Sequence, residues 1–315
     1  MRATFSDTLV RIAAQDSRVL LLTGDHGYSL FDAFRRSFPQ RYINAGVAEQ
    51  NMVGMAAGLA RAGFRPFVYG LSAFIPVRVL EQIKLDVAHD NLPVVFIGDG
   101  AGFVYSHLGT SHQATEDIAC TRAVPQLAVF SPADRYELSM CMEQAYAMHK
   151  PVYVRLGKAD RGDVHAGPVP AKAIGELFRI RGGTRGGLAM VATGSLVRTA
   201  VSLAEADFED ATVWSAPFLK PMNVDQVADI CESSQAVVTL EEHSIYGGLG
   251  SLISEISTAT RPTRILRVGV QDRFSLHCGS YEYLLREHEL DFESIRRKIS
   301  ETILPSERYV QRAAN

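Results

Sequence analysis

Short apolar runs that do not alternate with polar residues recur along the whole chain, and they restrict its fold more than any other feature. In the first half they occupy 19–22, 66–69, 93–97, 127–130 and 151–156, and in the second 188–192, 212–215, 236–240 and 265–268. A strand with one wet face alternates, whereas a strand buried on both faces does not. Between the runs lie stretches with helical spacing, clearest at 49–62, 133–149 and 195–206. Strands buried on both faces and alternating with helices predict an α/β protein with mainly parallel sheets covered on both sides.

Glycine, proline and charge concentrate from 157 to 187, in Asp160-Arg161-Gly162-Asp163, Gly167-Pro168, Gly182-Gly183 and Gly186-Gly187. Apolar runs thin out there, which is linker composition. The 315 residues are expected to form two α/β domains, 1–160 and 188–305, with a linker at 161–187 and a surface tail at 306–315. With 32 Lys and Arg against 35 Asp and Glu, the chain lacks the basic surface that nucleic acid demands. No apolar run approaches the ~20 residues of a membrane span, and the N-terminus has no apolar signal-peptide core. Cys120, Cys141, Cys231 and Cys278 stand far apart with no C-x-x-C pair, against a disulfide framework or a cysteine zinc site. A reduced, cytoplasmic protein is expected.

Glu49 and Gln50 follow Asn44-Ala45-Gly46-Val47-Ala48 and open a helix made largely of small residues: Gly54, Ala56, Ala57, Gly58 and Ala60. A carboxylate in a first turn complements the helix dipole, and that alone would account for Glu49. A helix so short of large side chains, however, predicts close approach by another backbone. A lone carboxylate at the edge of such an interface is costly unless paired, and that place suits a group sharing a proton with a neutral base. A second segment, His107-Leu108-Gly109-Thr110-Ser111-His112-Gln113-Ala114-Thr115-Glu116-Asp117, reads as a loop before a helix. His107 and His112 do not share a helix face and have no third ligand nearby, against a metal site. His112 is either a donor or proton shuttle or a histidine satisfied by loop backbone. Gly98-Asp99-Gly100 follows an apolar run and reads as a strand-ending turn. Gly247-Gly248-Leu249-Gly250 lacks the G-x-G-x-x-G spacing and is assigned to close helix–strand packing. Glu241-Glu242-His243, just before it, is assigned to structure or an interface.

Together Glu49-Gln50 within 44–60, Gly109 to Asp117, Ser131-Pro132-Ala133-Asp134, 152–156, Glu241 to Gly250 and Gly269-Val270-Gln271-Asp272-Arg273-Phe274 resemble the transketolase family, in its order and over nearly the whole chain. The resemblance is to the C-terminal half of a full-length transketolase, the pyrimidine-binding and C-terminal domains, as in the smaller subunit of a split, two-component enzyme. It implies thiamine diphosphate, bound between this chain and an N-terminal-type partner subunit that carries the Mg²⁺ and diphosphate site, in an α2β2 assembly acting on sugars or sugar phosphates. It implies that Glu49 hydrogen-bonds the aminopyrimidine ring nitrogen and so activates the cofactor, which serves as electron sink while a two-carbon ketol group passes from a ketose to an aldehyde. His112 matches a histidine near the aminopyrimidine and the substrate hydroxyls, Phe74 an aromatic that grips the pyrimidine, and Asp25 an aspartate near the thiazolium.

The departures bear on the substrate. Leu71 and Val77 stand where the family has further aromatics, so Leu71 would hold the pyrimidine by aliphatic packing. Arg2 matches an arginine of the substrate-phosphate cluster, while Lys158 replaces another, and lysine is a less directional phosphate binder. A family histidine falls at Gly100, and an acidic pair on the sugar hydroxyls falls at His107-Leu108. Two other classes compete with ketol transfer: the β subunit of a 2-oxo-acid dehydrogenase or another acyl-transferring thiamine-diphosphate enzyme, and a non-catalytic subunit that completes an oligomer.

Overall fold

Each of the nine apolar runs forms a strand in the computed structural model, which describes residues 1–157, 161–171 and 173–303. Lys158 and the tail at 306–315 lie outside the described residues. The strands are β1 (Val19–Thr23), β2 (Tyr42–Asn44), β3 (Arg65–Leu71), β4 (Val95–Asp99), β5 (Ala128–Phe130), β6 (Val152–Leu156), β7 (Phe178–Arg181), β8 (Leu188–Ala192), β9 (Thr212–Ser215), β10 (Phe218–Lys220), β11 (Ala236–Ser244) and β12 (Ile265–Val270). They make two α/β domains. The first sheet has the order β10-β5-β6-β4-β3-β1-β2, and the second β12-β11-β8-β9-β7. All pairings are parallel except the two at the edges, β10 on β5 and β7 on β9. Helices cover both faces, and the central strands β1, β4, β6 and β8 are buried along their whole length.

Three strands go beyond the sequence expectation, and two of them change the domain picture. The stretch read as a linker contains β7, whose Phe-Arg-Ile-Arg alternation suits an edge with one charged side. That stretch is also held to the first domain. Asp134 caps the helix Arg135–Ala147 through Oδ1, and its Oδ2 accepts from the backbone of Val164 and His165 at 3.0 and 2.9 Å. Glu137, three residues on, accepts from Ala133 N, just before the cap, and meets His165 Nε2 at 2.9 Å, so the start of the helix holds the distant segment. The third strand, β10, belongs to the second half of the chain but adds to the first sheet, with Phe218 edge-on to Phe130 at 4.9 Å. The two domains thus share a sheet edge.

Candidate active site

In an open parallel sheet the crevice lies beyond the carboxyl ends of the strands. The loops after β1, β2, β3 and β4 converge there and carry nearly every candidate residue. After β2, Asn44 Oδ1 accepts from Gly46 N at 2.9 Å, and Gly46 takes φ +72°, a conformation that favours glycine. This turn delivers Glu49 to the first position of the helix Glu49–Arg61, where the residue is 6% exposed. Glu49 Oε1 accepts from Arg78 Nη1 at 3.1 Å. The same guanidinium lies 3.9 Å from the centre of the Phe74 ring, a cation–π contact, and Phe74 meets His112 edge-on at 5.1 Å. Glu49, Phe74 and His112, picked from three separate segments, therefore form one continuous wall. Sequence reasoning does not single out Arg78, the residue that joins them; its only signal is a cation four residues past an aromatic.

His112 sits on a short turn, Thr110–His112, with Nδ1 3.0 Å from Ser111 Oγ. The loop around it is pinned at its base by two backbone bonds between Gly102 and Ala114, at 3.0 and 2.9 Å. Gly109, at φ +80°, faces Cys278 of the second domain. His107 and Leu108 are exposed on the same loop.

Arg2 is committed elsewhere in the site. Its guanidinium donates to Asp99 Oδ2 and to Tyr105 Oη. The same Asp99 oxygen accepts from Tyr69 and Tyr105, each at 2.8 Å. Burial and the Asp99 charge hold both phenols well above their ordinary range. Gly100, at φ +81°, is required here, because a Cβ would lie 2.0 Å from the Tyr105 ring. Asp25 is exposed just past β1, and Leu71 is half-buried at the end of β3, its carbonyl accepting from Phe74 N at 2.8 Å. His26, beside Asp25, is equally inconspicuous in the sequence: its ring packs on Tyr69 and its Nε2 is buried without a partner.

The wall rests on a buried polar joint between the domains. Arg155 Nε and Tyr153 Oη both reach Asp117 Oδ2 at 2.7 Å, and Arg155 Nη2 donates to the carbonyls of Ala114 and Glu242 at 2.9 Å. Burial would lower the Arg155 pKa, but Asp117 outweighs it and the net direction is upward. Glu242 accepts from Phe103 N at 2.6 Å and from Ser195 and Tyr281. Glu241 accepts from Leu249 N and Gly250 N at 2.6 and 2.8 Å, capping the helix Leu249–Ala259 from a neighbouring strand. Gly248 has no Cβ because that atom would lie 1.9 Å from Glu241 Oε2. The Glu241-Glu242-His243 cluster is thus structural.

Residues 1–162 match the family model for the transketolase pyrimidine binding domain, and residues 183–295 the model for the transketolase C-terminal domain. The B subunit of the apulose-4-phosphate transketolase of Phocaeicola vulgatus is 31% identical over 299 residues, covering 93% of this chain and 94% of that one. The 1-deoxy-D-xylulose-5-phosphate synthase of Aromatoleum aromaticum is 36% identical over 306 residues, covering 94% of this chain but 48% of the synthase. The chain therefore spans about half the length of such synthases. The solved structure of a split-gene transketolase, an inactive β4 tetramer, superposes with a TM-score of 0.87 at 30% identity, over 96% of this chain and 97% of that one. Two adjoining family models and an end-to-end relative agree with the fold and with the order of the motifs: this chain belongs to the transketolase family.

Proposed function

We propose that the chain is the smaller subunit of a split, thiamine-diphosphate-dependent transketolase that moves a two-carbon ketol group from a ketose to an aldehyde. The observation that carries this reading is the continuous wall of Glu49, Arg78, Phe74 and His112 at the strand ends. The end-to-end match to the B subunit of an apulose-4-phosphate transketolase supports it.

The residues fit the cofactor's aminopyrimidine half. Glu49 Oε2 takes no hydrogen bond from the described residues, so it is free to share a proton with a ring nitrogen. Phe74 offers a flat apolar face, and Leu71 ends the strand beside it. Arg78 covers that face and neutralises Glu49 in the free chain; being half-exposed, it can swing aside when a ring takes its place. Bound thiamine diphosphate supplies a carbon nucleophile and an electron sink. Glu49 holds the proton at Oε2, His112 donates to or receives from substrate oxygens, and Asp25 lines the exposed rim. Arg2, His107 and Lys158 are assigned to the sugar or sugar-phosphate end.

The diphosphate and Mg²⁺ are assigned to an N-terminal-type partner subunit in an α2β2 complex. Asp99, the one carboxylate of Gly98-Asp99-Gly100, already accepts from Arg2, Tyr69 and Tyr105, while Mg²⁺ wants several free oxygens in strict octahedral geometry. Among the described residues no three His, Cys, Asp or Glu side chains converge as a metal site. No described helix is long and apolar enough to cross a membrane, and a cytoplasmic location is part of this reading.

The synthases among the relatives show that chains of this kind serve reactions other than a transketolase's, and the alternative weighed against ketol transfer is acyl transfer from a 2-oxo acid. The complex reconstituted with its partner and fed a ketose or pyruvate, a 2-oxo acid without the hydroxymethyl group of a ketol donor, separates the two. Turnover with pyruvate alone would reject ketol transfer.

A further inference from the structure

The loop after β1 is built to hold one imidazole in place. Thr23 Oγ1 donates to the carbonyls of Gly24 and His26, at 3.0 and 3.2 Å, and His26 N donates back to Gly24 O at 2.6 Å. Gly24 makes room for the ring: a Cβ there would lie 2.9 Å from His26 Cε1 and 3.1 Å from the carbonyl of Gly46, in the turn that delivers Glu49. The ring also packs on Tyr69, centroids 5.8 Å apart, whose hydroxyl is bound to Asp99. His26 thus stands between the Glu49 turn and the Asp99 cluster. Its Nε2 is buried and has no hydrogen-bond partner. A buried, unsatisfied polar atom is destabilising, and a purely packing role would be served as well by an apolar side chain.

We infer that His26 is a substrate-binding residue of this site, hydrogen-bonding through Nε2 to a hydroxyl of a polyhydroxy carbonyl compound. The inference rests on the reading of the site as one for ketol transfer. Burial lowers the imidazole pKa against the Tyr69 carbonyl and the carboxylates of Glu49, Asp99 and Asp25, which favours the neutral ring. Glu49 and Asp99 beside it are each paired with a guanidinium, Arg78 and Arg2, so the ring sits among compensated charges. A neutral imidazole there selects a neutral group that can both donate and accept, which is a hydroxyl. The residue would therefore discriminate sugars from simpler donors of the same two-carbon unit.

The test uses the complex with the partner subunit and thiamine diphosphate, and compares erythrulose with hydroxypyruvate, which delivers the same unit without the extra hydroxyl. For His26→Leu, kcat/KM is expected to fall about tenfold or more with erythrulose, mainly through KM, and to stay within about threefold with hydroxypyruvate. Exchange of the thiazolium proton, followed by NMR without any substrate, should match wild type and so report an intact site. If His26→Leu does not fold, His26→Asn carries the same comparison, with a smaller loss on erythrulose. Equal losses on both donors, or none on either, overturn the inference alone. A wild-type complex that turns over neither donor overturns the ketol-transfer reading and this inference with it.

Discussion

His243→Gln is expected to remove much of the acid sensitivity of the second domain. His243 is fully buried on β11, with Nδ1 donating to Ser244 O at 2.8 Å and Nε2 accepting from Ala119 N at 3.2 Å. Both nitrogens are thus committed in the neutral tautomer, and protonating Nε2 would break the bond that ties β11 to the helix Asp117–Ala123. Burial pushes the imidazole pKa down to about 4, with Asp117 opposing and Arg155 reinforcing the shift. In the unfolded chain the ordinary value is about 6.5. The folded pKa is depressed, so as pH falls the unfolded chain takes up the proton first. The stability from neutral His243 is complete above about pH 6.5 and is lost as pH falls towards 4. At about 1.36 kcal/mol per pH unit, the full window is worth roughly 3 kcal/mol. Glu241, 3.7 Å away and pushed up to about 7 by burial, acts in the opposite sense, losing its contribution as pH rises towards 7. Comparing variant with wild type leaves every other titrating group in common. Urea unfolding between pH 7.5 and 4.5, followed by circular dichroism and by the single tryptophan, Trp214 on β9, gives the two curves. Wild type should lose stability more steeply, by up to one proton's slope. Parallel curves would show that His243 does not carry the effect.

Four further outcomes are expected. Glu49→Gln keeps the shape of the site but cannot share a proton, so turnover of the complete complex should fall about 10²–10⁴-fold with assembly intact; near-normal thiazolium proton exchange would reject the role. Arg78→Met uncovers Phe74 and leaves buried Glu49 unpaired, so the free chain should lose about 1–3 kcal/mol while cofactor association in the complex quickens; slower association, read by stopped-flow fluorescence, would count against a displaceable Arg78. Arg155→Met strips Asp117 of its buried partner and should cost about 3–5 kcal/mol, with the joint between the domains failing first; a change under 1 kcal/mol in denaturant unfolding would contradict this. The isolated chain should bind thiamine diphosphate poorly, with or without Mg²⁺, by calorimetry; tight Mg²⁺-dependent binding and turnover by this chain alone would overturn the split-enzyme reading.

Much of the fold was legible because its strands lie inside parallel sheets. Burial on both faces leaves nothing but apolar residues, as in 93–97 and 188–192, and such runs stand out without any periodicity analysis. The strands that escape notice are edges. Tyr42–Asn44 and Phe218–Lys220 have three residues each, too few for a pattern, and Phe178–Arg181 alternates with arginine in a glycine-rich stretch that otherwise reads as linker. Edge strands are short and charged for a physical reason, since that discourages pairing with other chains. The domain join is hidden for the same cause: β10 is an edge strand that crosses from one half of the chain to the other sheet.

The site was legible where chemistry had forced an unusual residue into an apolar setting, and illegible where it depended on neighbours brought together by folding. A lone carboxylate opening a helix of alanines and glycines is conspicuous, and it marks Glu49. The face expected to meet another backbone is open in this chain: Gly54 and Gly58 are exposed, with nothing within 4 Å of where a Cβ would stand, while Ala56, Ala57 and Ala60 pack inward. The small residues therefore do two jobs, and only the inward one is fulfilled within this chain. Arg78 and His26 cannot be found by the same logic, because arginine and histidine in polar loops are unremarkable until their partners are known. What distinguishes them is three-dimensional: a guanidinium shared between a buried carboxylate and an aromatic face, and an imidazole nitrogen buried with nothing to bond. Both are incomplete arrangements in the free chain, one provisionally satisfied and one not satisfied at all. Arg78 is part of the wall with Glu49, and His26 stands beside the turn that delivers Glu49, so the unmet demands of this chain fall on the one crevice where the proposed flat ring and hydroxylated substrate would meet it.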